Sequence, residues 1–125
     1  MRNRLIGLGF VVVVFALAAV SCGGGNSNTY SCNFAASAGL CYEYSSPQAL
    51  TSTQVTQLQS SCTTGGAGTF STSASCPSAS RVGSCALSNA QMAGVSIKYV
   101  FYSPAYTAVT GQQFCTTLTG TWTAG

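Results

Sequence analysis

The sequence contains no histidine and no aspartate, and its only acidic residue is Glu43. General acid–base catalysis needs a titratable partner, and paired-carboxylate chemistry needs two such groups. The remaining candidate pair, Ser96 with Lys98, would share one face of a strand, as unrelated surface neighbours also do. We therefore expect a protein that is not an enzyme and that binds no cofactor.

Charge is scarce along the whole chain, with four Lys or Arg residues and one carboxylate among 125 residues. Beyond the first four residues, the charged residues are Glu43, Arg81 and Lys98. Nucleic-acid binding needs many cations to neutralise phosphates, so this composition excludes it. It also argues against a metal site, because histidine is absent and the cysteines are widely spaced.

The first 21 residues have the organisation of an export signal. Arg2 and Arg4 precede an uncharged apolar run over residues 5–20, which is shorter than the roughly 20 residues of a membrane span. The run ends in Ala19-Val20-Ser21-Cys22, which resembles the lipobox of bacterial lipoproteins. The alternative is an ordinary secretory signal followed by an unrelated cysteine.

The lipobox resemblance covers residues 1–22 and implies removal of a signal peptide (1–21), acylation of Cys22 with palmitate-like chains, and anchoring in a membrane of the bacterial cell envelope. Gly23 stands where enteric lipoproteins of the inner membrane carry aspartate, so the resemblance favours the outer membrane, on its periplasmic or its surface face. Residues 22–31 would form the lipidated cysteine and a flexible Gly/Asn/Ser tether, and residues 32–125 the domain. The chain also resembles small cysteine-rich bacterial lipoproteins in general, which implies no particular activity.

Assigning Cys22 to the anchor leaves six of the seven cysteines. An even set in an exported chain indicates disulfides, because the exported side of the membrane is oxidising. The six are Cys32, Cys41, Cys62, Cys76, Cys85 and Cys115. Many pairings are open, and spacing alone does not choose among them.

An internal repeat suggests one pairing. Residues 62–64 match 115–117, and Ser31-Cys32 matches Ser84-Cys85. Tyrosine-rich segments at 42–47 and 99–104 also correspond, and Phe70 matches Trp122. We therefore predict two pseudo-equivalent units, 32–75 and 85–125, with Cys32–Cys62 and Cys85–Cys115 inside the units and Cys41–Cys76 as the third bridge.

Each unit is expected to run strand, helix, strand. Alternating aromatic residues at 42 and 44, and at 97, 99 and 101, indicate strands. Thr51 and Gln54 form a capping box that predicts a helix start, and Gly65-Gly66 would end that helix. Ser103-Pro104 predicts the start of the second helix. The expected fold class is a small disulfide-stapled α+β domain with an antiparallel sheet.

Tyrosine is abundant for this length, with six residues. Tyr42, Tyr44, Tyr99 and Tyr102 are therefore candidates for a surface that binds a glycan or an extracellular or periplasmic protein. The alternative is that most of these rings pack the core. We expect a non-catalytic binding or structural module of the cell envelope. An alternative function is serine-protease inhibition through the segment between Cys76 and Cys85, which presents the single basic residue Arg81.

Overall fold

The computed structural model describes residues 28–64, 67–87 and 94–125. The predicted signal peptide, Cys22, the first part of the predicted tether and the predicted helix stop at Gly65-Gly66 lie outside these ranges. The described chain forms a disulfide-stapled α+β domain with an antiparallel sheet, as the sequence predicts. The sheet has six strands, and three helices accompany it.

The elements follow one another in two similar runs. The first run is β1 (Asn28–Phe34), α1 (Ala35–Ala38), β2 (Leu40–Ser46), α2 (Ser52–Thr64) and β3 (Thr69–Ser71). The second run is β4 (Arg81–Leu87), β5 (Ser96–Tyr102), α3 (Ala108–Thr117) and β6 (Thr121–Ala124).

The strand order β3-β1-β2-β5-β4-β6 places the two units on either side of a pseudo-two-fold axis between β2 and β5. Register supports this symmetry, because Tyr42 pairs with Tyr99 at the centre of the sheet. One row of paired residues crosses all six strands and contains the matched positions of both units: Phe70, Cys32, Tyr42, Tyr99, Cys85 and Trp122. The residues that match in sequence therefore occupy equivalent places in the fold.

Each unit has one more strand than the predicted strand-helix-strand pattern. The added strands, β1 and β4, each bury three successive residues, so they lack the alternation that indicates a strand in sequence. β1 also takes up residues 28–31, which the sequence assigned to the flexible tether. Tyr30 holds this part of the chain, because its ring is buried and its hydroxyl accepts a hydrogen bond from the Leu50 N–H at 3.2 Å.

The three disulfides have the pairing that the repeat suggests. Cys32–Cys62 joins α2 to β1, and Cys85–Cys115 joins α3 to β4, with Cα separations of 5.6 and 5.4 Å. Both helices therefore cover the same face of the sheet, which we call the helix face. Cys41–Cys76 lies on the opposite face, where it fastens the segment that follows β3 to strand β2.

The predicted capping box starts α2. The Thr51 hydroxyl accepts from the Gln54 N–H at 3.3 Å, and the Gln54 side-chain oxygen accepts from the Thr51 N–H at 2.9 Å. The reciprocal pair satisfies two backbone donors at the helix end. Leu58 and Cys62 are the buried residues of this helix.

The prediction that Ser103-Pro104 opens the second helix is wrong. That peptide is cis and lies in a turn, and α3 begins at Ala108. Its capping box is formed by Thr107 and Thr110, each hydroxyl accepting from the other residue's N–H. The later start lets Tyr106 pack against Phe101, with ring centroids 5.0 Å apart. Threonine in place of Glu or Gln at the third helical position hides this box from sequence patterns.

Gly111 in the middle of α3 is required by packing. A Cβ atom at this position would lie 2.7 Å from Cη2 of Trp122, whose indole also packs on Phe101. Glycine lowers intrinsic helix stability by about 1 kcal/mol relative to alanine, so a closely packed neighbour explains its presence.

Gly111→Ala should destabilise the domain by about 1–3 kcal/mol, because overpacking against Trp122 outweighs the gain in helix propensity. Chemical denaturation measures the change. Gln112→Ala, at the next and exposed position, is the matched control and should be neutral or slightly stabilising. A Gly111→Ala protein more stable than the parent would contradict the packing argument.

Reduction of the disulfides should lower the melting temperature by more than about 15 °C, because each bridge that closes a loop of this length is expected to contribute about 3–4 kcal/mol. Calorimetry with and without reductant measures the shift. An unchanged melting temperature in fully reduced protein would contradict this contribution.

Candidate functional site

A cavity of about 290 Å³ opens on the helix face of the sheet, beside α2. The strand side chains that line it are Tyr42, Tyr44, Leu87, Ile97 and Tyr99. The rest of its wall is formed by Leu58, Ser61 and Val95. Three of the four tyrosines proposed from sequence as binding residues therefore meet at one place.

Strand geometry brings these tyrosines together. Residues 42 and 44 project from the same face of β2, and residue 99 lies opposite Tyr42 on the neighbouring strand. The rings of Tyr42 and Tyr99 are 4.6 Å apart between centroids and tilted by 36°. The two rings form one wall of the cavity at the centre of the sheet.

The two units differ at a helix position that lines the cavity. Cys62 and Cys115 are equivalent, so Ser61 and Phe114, which precede them, are equivalent as well. In the second unit the Phe114 ring packs 5.7 Å from the Phe101 ring and 6.4 Å from the Tyr99 ring.

The residues equivalent to Phe101 and Tyr99 in the first unit are Tyr44 and Tyr42, and both line the cavity beside Ser61. The Ser61 hydroxyl donates to the Leu58 carbonyl at 2.9 Å and leaves the space open. The cavity therefore occupies the place that an aromatic ring fills in the other unit.

The tyrosine hydroxyls divide into two groups. Tyr30 accepts a hydrogen bond from Leu50, and Tyr102 donates one to the Pro77 carbonyl at 2.7 Å. Within the described ranges, the hydroxyls of Tyr42, Tyr44 and Tyr99 make no hydrogen bond to the protein. In this part of the chain the three cavity phenols therefore keep their hydrogen-bonding capacity.

Tyr102 does not belong to this site. Its side chain is only 3% exposed and lies on the face opposite the cavity, where its hydroxyl is used internally. Alternation along β5 directs residue 102 away from residues 97, 99 and 101, so the structure does not bring Tyr102 together with the other three tyrosines. Tyr30 and Tyr102 are cases in which a tyrosine packs the core.

Burial raises the pKa of two of the cavity phenols. It raises the pKa of Tyr44 to about 12, and the nearby Tyr42 and Tyr99 add to this shift. Burial also raises the pKa of Tyr42, with further contributions from Tyr99 and Tyr106. Both phenols can therefore donate hydrogen bonds at neutral pH.

The charged side chains lie on the opposite face. Glu43 Oε1 is 2.5 Å from the Lys98 ammonium, and its Oε2 accepts from the Cys76 N–H at 3.1 Å. Arg81 pairs in register with Tyr102, which places it on the same side as this ion pair. In the described part of the chain, no charged residue lines the cavity.

Arg81 is the first residue of β4 and is half-buried. Cys76 and Cys85 are bonded to different partners, on opposite faces of the sheet, so they do not close the intervening segment into a ring. The backbone next to Arg81 is engaged in the sheet, since the Val82 carbonyl accepts from the Gly125 N–H at 3.1 Å. None of these features favours the inhibitor interpretation, which stays a prediction.

A second depression of about 340 Å³ lies beside residues 46–50, Gln54 and Gly94. None of its described lining residues is aromatic.

Sequence reasoning identified the cavity tyrosines but not Ser61, Leu87 or Val95. The repeat carried a signal for Ser61, because the alignment places it opposite Phe114. No sequence signal pointed to Leu87 or Val95. Their place in the cavity wall depends on where β4 ends and β5 begins.

Comparisons with known proteins found no matching family model, no matching curated protein and no matching solved structure. No helix in residues 28–64, 67–87 and 94–125 is long and apolar enough to cross a membrane. The same ranges contain no group of three or more cysteine or acidic side chains placed to hold a metal ion.

Loss of the Tyr44 phenol should change the alkaline titration of the folded protein. With a folded pKa of about 12 against 10.0 for the free side chain, its stabilising effect is complete below pH 10.0 and declines as pH rises to about 12, because the unfolded chain ionises first. Tyr44→Phe should remove a late step from the phenolate absorbance titration. Loss of an early step instead would contradict this assignment.

Proposed function

We propose that this protein is a lipid-anchored module of the bacterial cell envelope that binds its ligand without catalysis. The observation that carries the proposal is the cavity on the helix face, where three tyrosines present hydroxyl groups with no partner in the described chain. These tyrosines are half-buried and their hydroxyls stay open to the cavity, and polar groups that converge in a concave, aromatic-lined site favour binding.

Lipid anchoring is supported by the lipobox-like residues 19–22 and by the disulfides, which suit an oxidising compartment. Because β1 begins at Asn28, the connection from Cys22 spans at most about 20 Å when fully extended. An anchored domain would therefore sit close to the membrane surface, nearer than a tether through residue 31 would allow.

The proposal of a protein without catalysis is supported because the side chains best suited to catalysis already have partners in the structure. Glu43 and Lys98 neutralise each other beneath the segment that carries Cys76, and the six described cysteines are bonded in pairs. Neither the carboxylate nor the ammonium lies on the face that contains the cavity. This arrangement favours binding over chemistry.

Cys22→Ala should abolish acylation and leave an uncleaved or mislocalised precursor, because the thiol is the proposed attachment point for lipid. Intact mass of membrane-extracted protein measures both the start of the chain and the mass of the acyl groups. Two or three acyl chains bind a membrane strongly, at about 0.8 kcal/mol per buried methylene, so the parent should remain in the membrane fraction.

Ser21→Ala is the matched control, since it keeps a small residue before the cysteine and should be processed normally. A Cys22→Ala protein that is still acylated would exclude this anchor site. An unlipidated parent whose chain starts elsewhere would overturn the proposed compartment.

A further inference from the structure

We propose that the helix-face cavity binds one neutral sugar ring, the terminal or internal unit of an uncharged glycan. The inference rests on the proposed binding function and names the ligand class for the same site. The inference is argued from the volume of the cavity, the residues that line it and the positions of the charged side chains.

The space has the dimensions of a single ring. Its volume of about 290 Å³ is at the lower end of ligand pockets, which span about 300–1,000 Å³. The equivalent place in the second unit is filled by the Phe114 ring. A six-membered ring therefore fits where Ser61 leaves the first unit empty.

The walls distinguish a sugar from an apolar ring. Phe114 packs on Phe101, which has no hydroxyl, whereas the equivalent of Phe101 in the cavity is Tyr44. A phenyl group in the cavity would leave the Tyr44 hydroxyl buried without a partner, which is unfavourable. A sugar presents apolar C–H groups to the aromatic rings and hydroxyls at its rim.

The hydrogen-bonding capacity of the cavity suits sugar hydroxyls. A protonated phenol both donates and accepts, as a sugar hydroxyl does. Tyr42, Tyr44 and Tyr99 bring three such groups into one site. Tyr44 and Tyr42, whose pKa values lie above the ordinary phenol value, are protonated donors at neutral pH, as an unperturbed tyrosine also is.

The distribution of charge favours a neutral ligand. Glu43, Lys98 and Arg81 lie on the opposite face, and the described cavity wall contains no charged side chain. An anionic or cationic ligand would lose water without gaining a charged partner, which is costly. Acidic sugars and phosphorylated groups are therefore disfavoured.

The test uses the mature lipoprotein in micelles of a detergent without a sugar headgroup. The neutral probes are maltotriose, cellotriose and tri-N-acetylchitotriose. The charged probe is trigalacturonic acid, and the aromatic probe is N-acetyltyrosinamide. Saturation-transfer NMR detects contact with each probe, and calorimetric titration measures affinity. We expect at least one neutral trisaccharide to bind and trigalacturonic acid not to bind.

Two substitutions give the first unit the residue types that the second unit has at the equivalent positions. Ser61→Phe supplies the missing ring and should abolish binding. Tyr44→Phe removes one hydroxyl and keeps the ring, and should weaken binding by about tenfold, the loss expected for one hydrogen bond. Tyr106→Phe is the matched control, a half-buried tyrosine outside the cavity, and should bind as the parent does. The melting temperature of each variant establishes that it is folded.

Other outcomes would contradict the inference, and each would show which part of it is wrong. Binding of N-acetyltyrosinamide alone, lost in Ser61→Phe, would reject the sugar and keep the binding module. Equal affinity for trigalacturonic acid would reject the preference for neutral ligands. Sugar binding unaffected by Ser61→Phe would place the site elsewhere. If no probe binds and no cavity-dependent partner is captured from envelope extracts, the proposed binding function fails with the inference.

Discussion

The attachment of each helix to the sheet by a disulfide is the constraint on which the rest of this structure depends. Besides its bonded cysteine, α2 buries only Leu58, and α3 buries only Gly111. Hydrophobic packing of so few side chains would hold neither helix firmly, since most helical stability in proteins comes from a buried apolar face. Cys32–Cys62 and Cys85–Cys115 supply the missing attachment at two equivalent points of the sheet. A helix that is held by a covalent bond does not need to cover the whole sheet. Part of the sheet beside α2 is uncovered, and the cavity lies there.

The sheet separates two chemical environments. One face carries the third disulfide, the Glu43–Lys98 pair and the buried Tyr102, all beneath the segment that links β3 to β4. The other face carries aromatic rings and hydroxyls under the helices. Because residues alternate along each strand, neighbouring positions such as Tyr42 and Glu43 serve different faces. The single carboxylate thus has a structural role, as acceptor for the Cys76 N–H and partner of Lys98, and the cavity stays uncharged.

Departures from the duplication are more informative than the duplication itself. The row through Cys32 and Cys85 keeps equivalent residues in equivalent places. Ser61 and Tyr44 break the symmetry, since the other unit has Phe114 and Phe101 there. In the second unit these two phenylalanine rings contact each other, with Phe114 still 39% exposed at the surface. In the first unit a small residue opens the space, and a hydroxyl is added to its wall. One unit thereby has packed rings at this position, and the other has a cavity lined by a hydroxyl group.

The sequence by itself determined the features that depend on local chemistry or on matching segments. The capping box of α2 follows from Thr51 and Gln54, and the repeat led to the α+β class, the antiparallel sheet and the disulfide pairing. Other features depended on the tertiary structure. The strands β1 and β4 each bury three successive residues and so lacked alternation, and Ser103-Pro104 lies in a turn before α3, where Tyr106 packs on Phe101. Only the folded chain separated the cavity tyrosines from Tyr30 and Tyr102, because whether a hydroxyl finds an internal partner depends on residues distant in sequence.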